Sequence, residues 1–230
     1  MVPLPLVIAI DGPAGAGKSA AARGLARRLG LPYLDTGAMY RAVALAAWRR
    51  GIRAPLGLDD EATVVELAEQ ARIEFRGAPE GPRVILDGED VSDQLRRPEI
   101  SHLASVVSAI PGVRRALVAR QRELAAAGGG VVEGRDIGTV VFPEAPVKVF
   151  LTASPEVRAR RRFEELRGKG VAVEWASVVE EQRRRDERDA TRADSPLRPA
   201  ADAVVLDTSA MSLAEVVEEL EAIVRRRRRR

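Results

Sequence analysis

The sequence has no cysteine, which excludes disulfides and thiolate metal sites. Its one histidine, His102, argues against a histidine-built metal centre. A lone imidazole can act as a base, but a surface position suits it better. No apolar run reaches the roughly 18 residues of a membrane span. Residues Met1–Pro5 lack the basic start and apolar stretch of a signal peptide, so a cytoplasmic protein is expected. Lysine is nearly absent: Lys18, Lys148 and Lys169 are the only three, and arginine supplies the rest of the 37 basic residues.

The formal charge of +3 overstates the basic character of the chain. Residues Arg225–Arg230 are six consecutive arginines, and without them 31 basic residues face 34 acidic ones. Such a tail can bind nucleic acid or an acidic surface. It can equally be a helix end whose positive charges suit the C-terminal dipole, and this simpler reading is preferred. Nucleic acid and membrane are therefore not expected partners.

Four apolar, β-branched runs read as parallel strands buried on both faces: Leu6–Ile10, Val131–Glu133, Val147–Leu151 and Ala203–Leu206. Pro32–Asp35 is a shorter fifth. Helices are predicted between them at Lys18–Leu29, Ala38–Arg50 and Val113–Ala127, and from Ser154-Pro155 to about Arg167. Ser212 and Glu215 form a capping box for a last helix. The alternation predicts an α/β fold with a three-layer parallel sheet. Residues 72–103 interrupt it with Ile73–Phe75, Arg83–Leu86 and Asp90-Val91, separated by GAPEGP and DGED, and read as a small antiparallel unit. Residues 157–188 read as an arginine-rich helical pair around Gly168-Lys169-Gly170.

Between the first strand and the first helix stands GPAGAGKS, which is Gly12, Pro13, Ala14, Gly15, Ala16, Gly17, Lys18 and Ser19, followed by Ala20. This is the phosphate-loop pattern in its proper strand-to-helix context. Glycines let backbone N–H groups turn inward around phosphate oxygens, Lys18 can reach the β- and γ-phosphates, and the Ser19 hydroxyl can ligate Mg²⁺. The helix N-terminus adds its dipole. A nucleoside triphosphate, ATP with Mg²⁺, is the expected cofactor.

No second phosphate loop is present, so a second phosphorylated substrate must be held by side chains, for which arginine forks are suited. Four segments offer them. In Asp35–Arg41, Thr36 can cap the helix, and Arg41 either points at the strand ends or is an ordinary surface arginine of a helix start. Glu133–Gly138 is either a plain polar turn or a site that sets Arg135 and Asp136 between glycines at the sheet's carboxyl edge, where a carboxylate supporting Mg²⁺ can also sit. Arg158–Arg162 crowds like charges that either face solvent or neutralise polyphosphate. Arg185–Arg192 is either a salt-bridged exposed helix or a face that binds a phosphate and a ribose hydroxyl.

Together the segments IDGPAGAGKS, LDTGAMYRAVA, LDGEDVSDQLRRPEIS, ASVVSAIPGVRRAL, EGRDIGTVVFPEAPVKVFLTAS, RRRDERDATRADSPL and ADAVVLDTS closely resemble the bacterial cytidylate kinases, over Leu6 to about Val224. The resemblance implies a phosphate-loop kinase core (1–71, 104–156 and 189–230), an inserted monophosphate-binding lobe (72–103), and a helical lid with its following helix (157–188). It implies that Thr36, Arg41, Arg135 and Arg192, with Arg185, contact the acceptor phosphate. Ser105, Arg114 and Asp136 would read the cytosine, and Asp189 would hold the ribose. Lys18 and the lid arginines Arg158 and Arg162 would neutralise charge during transfer. The substrates implied are CMP and dCMP, and the expected working state is a monomer. Glu133 stands where many such kinases have aspartate and is given no direct role.

Two other functions fit the phosphate loop. One is a kinase of the same scaffold acting on UMP, AMP or shikimate. The other is a nucleotide switch that binds RNA through its arginine tail. The sequence lacks a guanine-reading N-K-x-D motif, which counts against the switch.

Overall fold

Val7–Asp11 (β1) is apolar through Ile10 and closes on an aspartate, and each of its residues is buried. Such a strand belongs at the centre of a sheet covered on both sides. The computed structural model describes residues 6–57, 59–77, 81–126 and 128–228. The expectations placed on Met1–Pro5, on residues 78–80 of the GAPEGP turn, on Ala127 and on Arg229-Arg230 lie outside the described residues.

The main sheet contains β1, Tyr33–Asp35 (β2), Gly130–Glu133 (β6), Val147–Thr152 (β7) and Val204–Asp207 (β8). Its order is β2-β6-β1-β7-β8, with every neighbouring pair parallel. All five strands lie within a residue or so of their predicted positions. Register aligns Asp35 with Glu133 and Thr152 with Asp207, while apolar residues pair behind them. Polar side chains therefore collect along one edge of the sheet, the carboxyl edge where ligands bind in this architecture.

Alternation in β1 feeds two cores. Ile8 and Ile10 face Lys18–Leu29 (α1) and Leu213–Arg228 (α8), meeting Leu25, Leu220 and Ile223. Val7 and Ala9 face Thr36–Arg49 (α2), Asp60–Gln70 (α3), Pro98–Val107 (α4) and Pro111–Ala126 (α5). The helices α3 and α4 are additions to the predicted elements.

Ile73–Arg76 (β3), Arg83–Leu86 (β4) and Glu89–Asp90 (β5) form the expected small antiparallel sheet. Ile73, Val84 and Leu86 share the core of α2 and β6, so the unit is packed onto the main body through continuous apolar contact. Helix α4 runs across residue 103, where the lobe was expected to end. Pro155–Gly168 (α6) and Trp175–Thr191 (α7) are the arginine-rich pair. His102 is exposed. No helix among the described residues is long and apolar enough to cross a membrane. The arginine tail extends α8: Arg225 pairs with Glu221, Arg226 with Glu219, and Arg227 donates to the Asp202 carbonyl.

Candidate active site

The loop Gly12–Gly17 leaves β1 under tight constraint. Gly12 has φ 145°, and a Cβ there would lie 2.0 Å from the Leu151 carbonyl oxygen. Gly15 has φ 76°, and its Cβ would meet the Arg158 backbone and Cβ at 2.8 and 2.9 Å. Gly17 precedes α1 in the left-handed conformation without a side-chain cap. The first-turn N–H groups of α1 are thus left for an anion.

Lys18 is buried and donates to the Pro13 carbonyl at 2.7 Å. Burial, reinforced by Arg135 and Arg185, pushes its pKa down. Asp11, buried at the end of β1, accepts from the N–H groups of Ile137 and Gly138, each at 2.7 Å. It thereby ties the turn after β6 to the root of the loop. Burial raises its pKa to about 6 despite those two bonds.

Beside them Glu133 accepts from the Tyr33 hydroxyl, and the Ser19 hydroxyl also faces its carboxyl group. Burial, then Asp35, pushes Glu133 up. Ser19, Glu133 and neighbouring Asp35 are oxygen donors, the chemistry a Mg²⁺ ion prefers. Among the described residues no three His, Cys, Asp or Glu side chains converge on one point. The donor set therefore suits an ion that keeps its waters and arrives with nucleotide phosphates.

Thr36 does not cap α2. Asp35 does so, accepting from the Ala38 N–H at 2.9 Å, because a carboxylate one residue earlier reaches that N–H. The Thr36 hydroxyl instead donates to the Glu133 carbonyl at 2.7 Å and joins β2 to β6. Arg41 pairs with Asp35 at 2.8 Å.

The chain neighbours Arg135 and Asp136 serve different partners. Arg135 donates to Asp189 of α7 at 2.8 Å. Asp136 forms an ion pair with Arg114 of α5, whose guanidinium also lies 5.8 Å from the Tyr40 ring centre. Ser105 of α4 is buried and accepts from Arg188 at 3.2 Å.

Helix α7 gives the arginine-rich stretch an outer and an inner face. Its outer face carries Arg183 and Arg184 paired with Glu180, a solvent-exposed lattice of charges. Its inner face carries Arg185, Arg188 and Asp189. Arg185 has no ion-pair or hydrogen-bond partner among the described residues, and its Nε is buried. Burial, then the neighbouring Arg135, lowers its pKa to about 10, and Arg41 and Arg162 push the same way. Arg192 donates to the Ser195 carbonyl at 2.5 Å and keeps a buried, unpartnered NH2 group.

The two arginines of α6 divide. Arg158 was expected to face the transferring phosphate, yet it is buried and committed: to the Ala153 carbonyl at 3.0 Å, the Ala14 carbonyl at 3.2 Å and Asp186 at 2.7 Å. Its place on the first turn of α6 puts it under the loop. Arg162, one turn on, pairs with Glu165 at 2.9 Å and is part-exposed.

The structure therefore gathers Lys18, Arg41, Arg114, Arg135, Asp136, Arg162, Arg185, Asp189 and Arg192 into one electrostatic neighbourhood. Four carboxylates answer Arg41, Arg114, Arg135 and Arg162, leaving Lys18, Arg185 and Arg192 in excess. Cations held wholly or partly out of water, in excess over the carboxylates around them, form a receptor for a polyanion. Sequence reasoning missed Asp11, Tyr33, Gln182, Asp186 and Arg188. Asp11 carried a signal, as an acid ending an apolar strand just before Gly12. Gln182 and Asp186 carried one too, in helical register with Asp189.

The profile of the cytidylate kinase family matches residues 8–226. A curated cytidylate kinase from Solibacter usitatus is 53% identical over 225 residues, covering 96% of this chain and 93% of that protein. A second, from Mycobacterium avium, is 52% identical over 223 residues and 96% of both chains. An uncharacterized protein of known structure from Eubacterium ventriosum shares the fold, with a TM-score of 0.50 at 14% identity over 98% of this chain and 99% of that one.

Proposed function

This chain belongs to the cytidylate kinase family and is a phosphotransferase that moves the γ-phosphoryl group of ATP to CMP or dCMP; we propose the following division of labour among its residues. Gly12–Ala20 cradle the donor phosphates, with Lys18 leaving the Pro13 carbonyl for the β- and γ-phosphates. Ser19, with Glu133 and Asp35 behind it, would hold a Mg²⁺ ion, which would supply charge neutralisation at the donor phosphates.

The acceptor phosphate meets Arg41, Arg135, Arg185 and Arg192, with Thr36 fixing the strand ends beneath. Ser105, Arg114 and Asp136 face the base and Asp189 the ribose. The cytosine edge offers an N4 donor beside the N3 and O2 acceptors. A carboxylate next to a guanidinium complements that edge, whereas the uracil O4 would meet Asp136 acceptor to acceptor. The observation that carries this assignment is the cationic excess of Lys18, Arg185 and Arg192, lying beside the Arg114–Asp136 pair.

The acceptor phosphate is already an anion, so no general base is required. An acceptor oxygen attacks the γ-phosphorus in line and the ADP oxygen leaves. Catalysis rests on positioning and on neutralising charge. Arg162 is the lid arginine free to exchange Glu165 for the transferring group, while Arg158 supports the loop. Closure of the lid around residues 157–170 and of the lobe at 72–103 excludes water and protects ATP from hydrolysis. The same reading takes a monomer in the cytoplasm, free to close over both nucleotides, as the working unit.

The test is a coupled ADP-release assay with Mg·ATP, offering CMP, dCMP, UMP, AMP and GMP separately. Strong turnover with CMP and dCMP, weak with UMP and none with purines is expected. Turnover confined to another acceptor would overturn the base assignments.

A further inference from the structure

Helix α7 carries acceptor-side residues, yet it also reaches the donor loop. Gln182 is buried, and its Nε2 donates to the Ala14 carbonyl at 2.8 Å. It lies one turn before Arg185 and Asp186 and two before Asp189, on the helix's inner face. The same carbonyl accepts from Arg158 at 3.2 Å, and Asp186 holds Arg158 in place. Two donors from two helices thus converge on one oxygen at the crest of the loop.

A peptide plane explains the consequence. The Ala14 carbonyl and the Gly15 N–H share one trans peptide, so they point in opposite directions. Pinning the carbonyl against α6 and α7 turns the Gly15 N–H toward the inside of the loop, where donor phosphate oxygens lie. The Gly15 N–H makes no hydrogen bond within the described chain. A loop with φ 76° at Gly15 has other conformations open to it, and an unpinned peptide can flip.

We propose that Gln182 is a positioning residue for the phosphoryl donor: its hydrogen bond to the Ala14 carbonyl aims the Gly15 N–H at the ATP phosphates. This rests on the phosphate loop being the ATP site, and not on which acceptor the enzyme uses. Gln182 also shares the rigid face of α7 with Arg185 and Asp189, so the acceptor residues and the donor loop are held by one element.

The variants Gln182→Met and Gln182→Glu keep the length of the side chain. The first removes the donor, and the second sets an acceptor against the carbonyl. Mg·ATP affinity is measured by calorimetry without acceptor, alongside steady-state constants for ATP and CMP. About a tenfold loss of ATP affinity and of kcat/KM for ATP is expected for Gln182→Met, and more for Gln182→Glu, with KM for CMP within about twofold of wild type. The ¹⁵N–¹H resonance of Gly15 should shift on adding Mg·ATP to wild type and shift less than half as far in Gln182→Met. Unchanged ATP affinity, or equal losses toward ATP and CMP with an unchanged Gly15 response, overturns the proposal. If Gln182→Met does not fold, the Gly15 response of Gln182→Glu decides. Wild-type turnover with CMP tests the acceptor reading separately.

Discussion

Arg114 and Asp136 form an ion pair whose side chains are only 3% and 6% exposed. They come from α5 and from the turn after β6, 22 residues apart in sequence. A pair so far from water contributes little net stability, but breaking it strands a buried charge. Its value lies in what it offers a ligand, a fixed guanidinium and a fixed carboxylate side by side.

Asp136→Asn tests both aspects. Loss of the partner charge should cost about 3–5 kcal/mol of stability in urea unfolding, because Arg114 stays buried. The amide can donate to the uracil O4, so kcat/KM for CMP should fall about 10- to 100-fold while the UMP:CMP ratio rises. An unchanged ratio would remove Asp136 from base recognition.

Arg185→Met should separate stability from function. Arg185 has Arg135, Arg41 and Arg162 around it, and the one carboxylate near it, Asp189, is already paired with Arg135, so its removal relieves net repulsion. The ligand-free protein should gain on the order of 1 kcal/mol, seen as a higher Tm. In the same variant kcat/KM for CMP should fall about 100-fold or more, because an anion loses a buried, charge-assisted donor. A variant that loses stability would show Arg185 to be structural.

How far the sequence could be read depended on how local each signal was. The five parallel strands were legible because burial on both faces writes them as apolar runs. Helix α3 was not, since its buried stripe is only Val64, Leu67 and Ala68 amid acidic residues. Helix α4 follows three short antiparallel strands, whose hairpin signals absorbed its first turn into the lobe. Thr36 and Asp35 are both cap formers, and only the reach of Asp35 to the Ala38 N–H separates them. Arg158 and Arg162 are alike as letters. One turn of α6 sets the first under the loop and the second beside Glu165. Letters identified the arginines of the site, while burial decided their tasks.

Lys18→Ala should leave the fold intact, because Lys18 is held by the Pro13 carbonyl and by no ion pair among the described residues. Its loss removes a buried ammonium whose charge the site disfavours, so Tm should not fall. Turnover should drop about 10²–10³-fold, as one preorganised cation is withdrawn from the transferring phosphoryl group. Near-wild-type turnover in folded protein would contradict the assignment of the donor site.

Asp11 supplies a pH test with a definite sign. Its pKa rises from an ordinary 3.8 to about 6 in the folded chain, chiefly through burial. Between those values the folded state holds a proton that the unfolded state has released. Stability from this group therefore falls as pH rises through the window, by about 3 kcal/mol in all. Asp11→Asn cannot titrate, so its stability lacks this slope. It also turns one amide hydrogen toward a backbone N–H, so a constant offset from wild type is expected. The quantity to measure is the wild-type unfolding free energy minus that of Asp11→Asn, by urea titration at intervals from pH 4 to 7. That difference should decline by about 2.4 kcal/mol across the range, the rest of the effect lying below pH 4, whatever its starting value. A flat difference would mean that the two N–H groups of Ile137 and Gly138 fully compensate for burial.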